Sequence, residues 1–293
     1  MKPHPTWFAG AVAVLGWLVA AAPAAAQGGQ PDEGSRQIWD EEFVKARPEA
    51  PRKAASARPA ATTRPARKAA AHASSFVGVT LWRLSPAPEG SRAVTVAGEG
   101  RRWLPERAEV DAAIPEGQQV RIAVEASRPG YLYVIDRERN ADGTLGEPVL
   151  VFPTRRIRGG DNAVQAGRVI EIPDLGDQPP YFTLKRSRPQ HAEEQLLLLV
   201  APAPLPEVTI GQDAQPLSRT QVEEWERRWG ARHAKLETPG GAGRAYTTSE
   251  HEAASAPSRL LTRGEPLPQT LYRVETAVGN PTLVVVTLRI APN

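Results

Sequence analysis

The sequence predicts a mainly β protein: an antiparallel β-sandwich with one packed amphipathic helix and a disordered N-terminal leader. Three observations lead there. Short apolar runs recur from Phe76 to Ile290, separated by Gly, Pro, Asn and Asp, as strands joined by tight turns are. A single stretch after residue 200 carries a strong helical apolar stripe. And Ala46–Ser75 is rich in Ala, Pro, Arg and Lys with no aromatic residue, too little apolar surface to offset the entropy of ordering.

The N-terminus reads as an export signal. Lys2 and His4 precede an apolar run from Trp7 to Ala22, then Pro23 and an Ala-x-Ala site at Ala24–Ala26. That is the pattern of a secretory signal peptide over 1–26, cleaved before Gln27. The expected location is periplasmic or extracellular. With no cysteine in the chain, there is no lipoprotein anchor, no disulfide and no thiolate chemistry. No later segment is long and apolar enough to span a bilayer.

The leader, 27–75, is acidic and then basic. Asp32–Glu42 holds five acids and one Arg, whereas Lys45–Lys68 holds eight bases and one Glu. The net charge of +3 therefore leaves −1 from Ala69 onward, so the high pI belongs to the leader and a basic face for nucleic acid is not expected. Within the leader, Ile38, Trp39, Phe43 and Val44 fall at helical spacing over 36–45. Trp39 and Phe43 are candidate anchors for docking into a partner; the alternative is that the segment folds back onto its own sandwich. The basic tether could also contact an anionic envelope polymer.

A single domain is expected over 76–293, large enough for one core. Val77, Val79 and Leu81 alternate with Gly78, Thr80 and Trp82, a strand pattern. Further strands are read at 93–97, 120–125, 131–135, 149–152, 169–172, 181–184 and 195–200. The runs at 131–135 and 195–200 are apolar on both faces, as covered central strands are. Ser218 or Thr220 can cap a helix over 219–237, with Val222, Trp225, Trp229 and Leu236 on one stripe. Residues 238–262 read as a mobile loop. Thr270–Thr276 and Thr282–Ile290 flank a Gly279-Asn280-Pro281 turn. The last strand is apolar on both faces and is expected beside an earlier strand, the one starting at Val77.

Gly117 with Val120, Ile122 and Val124, then Gly130-Tyr131-Leu132-Tyr133, Phe152-Pro153, Asn162, Ala166-Gly167 and Ile172-Pro173 follow one another in an order that resembles the bacterial domain of unknown function 4384 family. Gly78–Arg83 and Pro266–Arg273 look like extensions found in some exported members. The resemblance implies an accessory β-domain and no general activity. In physical terms, Gly130 is read as a turn, Tyr131 and Tyr133 as packing against the opposing sheet, and Ala166-Gly167 as a hairpin turn.

Chemical motifs are sparse. Asp136, Glu138, Asn140, Asp142 and Gly143 alternate like a calcium loop, but the twelfth position from Glu138 is Val149 where a bidentate Glu is needed, so a polar hairpin is expected. His251-Glu252 lacks the second His of a zinc-protease helix, having Ser255 instead. His4, His72, His191 and His233 are scattered. Arg155, Arg156 and Arg158 before Gly159-Gly160 form a candidate anion-binding loop. No cofactor and no catalytic centre are expected. The sequence points to a non-enzymatic binding or assembly module with a cell-envelope protein as partner. The rivals are an envelope hydrolase, which a cleft with perturbed acids would favour, and a polymer binder, which an exposed aromatic row would favour.

Overall fold

The computed structural model of the chain describes residues 33–50, 72–230, 233–238 and 241–292. The signal peptide expected over 1–26 and most of the basic tether lie outside the described residues. Among the described residues no helix is long and apolar enough to cross a membrane.

In chain order the elements are α1 (Glu33–Ala46), β1 (His72–Pro86), β2 (Val96–Gly98), β3 (Arg101–Ala108), β4 (Ala113–Ile114), β5 (Gln119–Ala126), β6 (Gly130–Asn140), β7 (Val149–Phe152), β8 (Ala163–Val164), β9 (Ile170–Ile172), β10 (Phe182–Thr183), β11 (His191–Ala201), β12 (Gln215–Pro216), α2 (Arg219–Trp229), β13 (His233–Glu237), α3 (Thr248–Ser255), β14 (Thr270–Ala277) and β15 (Thr282–Ile290). Two sheets form. One runs β10-β5-β1-β14-β13, with β3 on β1, β2 on β3 and β9 on β5; the other runs β12-β7-β6-β11-β15-β4, with β8 on β6. Every pairing is antiparallel except β15 with β4.

Between the sheets lies the main core. Val77, Val79 and Leu81 of β1 and Val120, Ile122 and Val124 of β5 face Leu132 and Val134 of β6, Leu198 of β11 and Val284 and Val286 of β15. Alternate residues point the other way; on the second sheet they are apolar, whereas on the first Trp82 and Ala123 alternate with Thr80, Arg121 and Glu125, and both outer faces are covered. Tyr133, Ile135, Leu197, Leu199 and Leu283 lie under Val222 and Trp225 of α2. Arg137 reinforces that helix by a bidentate pair with Glu226 at 2.7 Å. On the other sheet, Phe76, Leu236 and Leu271 lie under Phe43 of α1, and Trp82, Ala123 and Trp103 lie near Tyr246, Ala253 and Leu261.

The outer face of the first sheet also carries three buried ion pairs: Arg47–Glu125 at 2.6 Å, Arg107–Glu250 at 2.5 Å and Arg121–Glu171 at 2.5 Å. Arg47 also donates to the carbonyls of Glu265 and Pro266, each at 3.0 Å. Its fork thus ties the end of α1 to β5 and to the chain before β14.

Several expectations are corrected. The helix predicted over 219–237 stops at Trp229, because Gly230 caps it, donating to the Glu226 carbonyl. Leu236 consequently sits on β13, opposite Leu271. Ser218 holds the N-cap position without a side-chain bond. A complete capping box instead joins Thr247 and Glu250 at the start of α3, within the stretch expected to be a mobile loop. β15 does not lie beside β1; it pairs with β11, and its predecessor β14 pairs with β1. The Gly279 turn thus crosses between sheets. Ala166-Gly167 likewise joins β8 in one sheet to β9 in the other. Tyr133 faces the α2 layer rather than the opposing sheet. Gly130 is no turn: a Cβ there would sit 2.5 Å from the Ala201 carbonyl oxygen, so its role is close approach of β6 and β11.

Phe43 is 1% exposed, so Phe43→Ala is expected to cost about 3–5 kcal/mol by its buried ring. Arg47→Met, leaving Glu125 without its cation, should cost a similar amount, about 3–5 kcal/mol. Urea unfolding of the full chain checks both; neutral effects would mean that α1 is not docked.

Candidate functional site

β6 and β11 run side by side, with Leu196 opposite Asp136 and Glu194 opposite Glu138. Their inner-face residues are apolar through Leu132 and Val134 on β6 and through Val200, Leu198 and Leu196 on β11. The next inner positions are Asp136 and Glu194, so two acids continue a row of core residues. They border a cavity of about 170 Å³ between the sheets. Val120, Ile122, Ile172 and Leu184 wall it on one side, Val134 and Leu196 on the other, and Phe182 to Lys185 form its rim.

The acids lean on each other. Glu194 and Asp136 are close enough for each to act on the other's proton, and a proton held between them is the one way two carboxyls can hydrogen-bond. Asp136 Oδ1 and Glu194 Oε2 are buried and have no other hydrogen-bond partner. Burial, opposed by the Arg137 amide and aided by the Glu138 charge, pushes Asp136 up to about 6. Burial, with the charges of Asp136 and Glu138, pushes Glu194 up to about 9. Glu138 behaves oppositely: partial burial would raise it, but hydrogen bonds from Ser187 and Arg188 hold it below the usual carboxylate range.

His191, 0% exposed, lies beside this pair. Its Nδ1 accepts from the Ser187 amide at 3.2 Å, and its Nε2 lies 3.1 Å from the Glu193 carbonyl. An amide can only donate and a carbonyl only accept, so Nδ1 is the accepting nitrogen and Nε2 the donating one in these two bonds. Nε2 is also 3.5 Å from Glu194. Among the described residues no group of three or more His, Asp or Glu is placed to hold a metal ion.

A second, wider cleft of about 430 Å³ adjoins the first across Phe182, with Thr154, Ile157, Pro179 and Tyr181 on its walls. Arg156 lines it, held 3.5 Å from Asp177 and 4.0 Å from Asp213. Arg155 is exposed. Arg158 turns inward, donating to the Val169 carbonyl at 3.4 Å. The predicted loop therefore forms, but Arg156 and Arg158 point to different partners and do not converge on one anion. The predicted docking pair fares similarly. Phe43 is packed edge-on to Phe76, with centroids 6.4 Å apart, and is not available to another protein. Trp39 lies on α1, with its side chain outside the described residues.

Residues 113–204, from β4 to just past β11, match the family model described as Domain of unknown function (DUF4384). This stretch is similar to that family. It contains the motif order from Gly117 to Pro173 and both acids of the pair, whereas Gly78–Arg83 and Pro266–Arg273 fall outside it. The DUF4384 segment supplies strands to both sheets, and β1, β14 and β15 complete them. No curated protein and no solved structure gives a significant match to the chain.

Neither Asp136 nor Glu194 was singled out as a pair by sequence. Asp136 was read with Glu138 as a polar hairpin, and Glu194 precedes the apolar 195–200 run. The available signal was parity: both share the phase of core residues two and four positions away.

A raised carboxyl means the folded chain keeps a proton that the unfolded chain releases above its ordinary value of 4.5. Stability from this group is therefore greatest at acid pH and is lost as pH rises toward 9. Glu194→Gln removes that loss. Relative to the natural chain, the variant should gain about 1–3 kcal/mol between pH 5 and pH 8, by thermal or urea unfolding at both values. An equal difference at both pH values would contradict the shared proton.

Proposed function

We propose that this chain is a non-catalytic binding module exported to the cell envelope, and that its ligand seat is the cavity between the sheets. The observation that carries the reading is the cavity itself: an aliphatic enclosure at the open edge of the sandwich, with two polar groups at one end, which is how small-molecule sites are built. Export rests on the signal-peptide pattern over 1–26. A cell-envelope protein is the expected assembly partner, and with Phe43 buried its contact would lie on the sandwich. An aromatic platform for a glycan is disfavoured, because Tyr133 is buried under α2 and its hydroxyl accepts from the Leu205 amide.

One observation favours a second reading, an acid-dependent hydrolase: Asp136 and Glu194 are two neighbouring acids whose carboxyls are both raised, as in carboxyl dyads in catalysis. Against it, the pair faces aliphatic walls, and both nitrogens of His191 are engaged by backbone groups.

The test is ligand-observed NMR with a panel of six- to nine-heavy-atom compounds, run with and without Leu196→Trp, which fills the cavity. Binding without turnover in the natural chain, lost in the variant, supports the module. Turnover of an ester, amide or glycoside that disappears in Asp136→Asn would replace it with the hydrolase.

A further inference from the structure

The cavity has a chemistry as well as a place. Its walls are aliphatic on both sheets, and its polar lining is Asp136 and Glu194 with Thr183 and Lys185 at the mouth. An apolar cavity of about 150 Å³ accommodates a benzene-sized body, so about 170 Å³ fits a hydrocarbon of that order. Two acceptor oxygens, Asp136 Oδ1 and Glu194 Oε2, are buried there without a donor other than the shared proton.

The surrounding charges do not supply one. Glu138, on the same face of β6, adds negative charge and is taken by Arg188 at 2.6 Å. Arg137 points to the opposite face, where Gln195 and Glu226 hold it. His191 has both ring nitrogens engaged by backbone groups, with Glu138 4.0 Å from Nδ1 and Glu194 3.5 Å from Nε2. Glu147 and Arg188 sit on the outer rim with the pair. Lys185 lines the mouth and is exposed.

We infer that the cavity binds a small organic ammonium, with its cation on Asp136 and Glu194 and its apolar body among Val120, Ile122, Val134 and Leu196. The inference rests on the seat proposed above. An ammonium brings three donors and no acceptor, which is what a pair of unsatisfied carboxylate oxygens needs. It also supplies the positive charge that would let both half-buried acids ionise. The exchange balances: the ammonium enters, the shared proton leaves to solvent, and no covalent bond changes. Carboxylate and hydrocarbon recognition act on opposite ends of one ligand. Neither a plain anion nor a plain alkane satisfies both.

Calorimetry with hexylamine and its neutral counterpart 1-hexanol tests this on the full mature chain between pH 6.5 and 8.5. Hexylamine should bind with an affinity that rises toward tenfold per pH unit, about one proton released per ligand, and with enthalpies that vary with buffer. Glu194→Gln should flatten that pH profile. The double variant Asp136→Asn, Glu194→Gln should erase any preference for hexylamine over hexanol. Leu196→Trp should abolish both ligands. Binding of hexanol as tight as hexylamine, a flat profile in the natural chain, or a preference that survives the double variant overturns the ammonium while leaving the seat. Failure of both ligands to bind the natural chain overturns the seat as well. Circular dichroism of each variant establishes that losses are not unfolding.

Discussion

The architecture follows from one constraint: both sheets bury both of their faces. A two-layer sandwich buries only the inner pair of faces. The outer pair must be sealed by something else, and the chain outside the strands does that. α2 seals one sheet with Val222 and Trp225. α1 and the region from 241 to 268 seal the other, partly with Phe43, Tyr246 and Leu261 and partly with three buried Arg–Glu pairs. Buried ion pairs add little net stability over apolar packing. Here they fix where the covering segments land, since Arg47 can satisfy its fork in one place only.

The same constraint decides where a site can be. Sealed outer faces leave the seam between the sheets. At the β10 edge the strands are two residues long, and the seam is incompletely filled. The inner rows of β6 and β11 reach that edge and change from aliphatic to acidic at Asp136 and Glu194. Two carboxyls without a cation are a poor way to finish a core. Local choices that oppose stability tend to mark function, and this one lies within the DUF4384 segment, at the mouth of a cavity.

Much of the fold was legible in the sequence. The two-sided runs at 131–135 and 195–200 announced central strands, and they are the neighbours β6 and β11. Trp225 with Val222 announced the covering helix. What failed, failed for tertiary reasons. Leu236 fits the helical stripe by spacing, yet Gly230 ends the helix and β14 offers Leu236 a strand partner. Two connections looked like hairpins because turn chemistry does not say whether the next strand returns to the same sheet. Phe43 looked like a partner anchor because an apolar stripe has the same sequence whatever covers it. The acid pair was hidden because an acid at a strand end usually faces water. Only the register of β6 on β11 shows that these two face inward together.

The central claim is that Asp136 and Glu194 share one proton inside the sandwich at neutral pH. Carboxyl carbon-13 NMR of the chain labelled at Asp and Glu, titrated from pH 4 to 10, measures it directly. The account predicts two coupled transitions from this pair, one near 6 and one near 9, both altered by Glu194→Gln. Two ordinary carboxylate titrations complete below pH 5 would contradict it, and with it the proton exchange on which the ammonium reading rests.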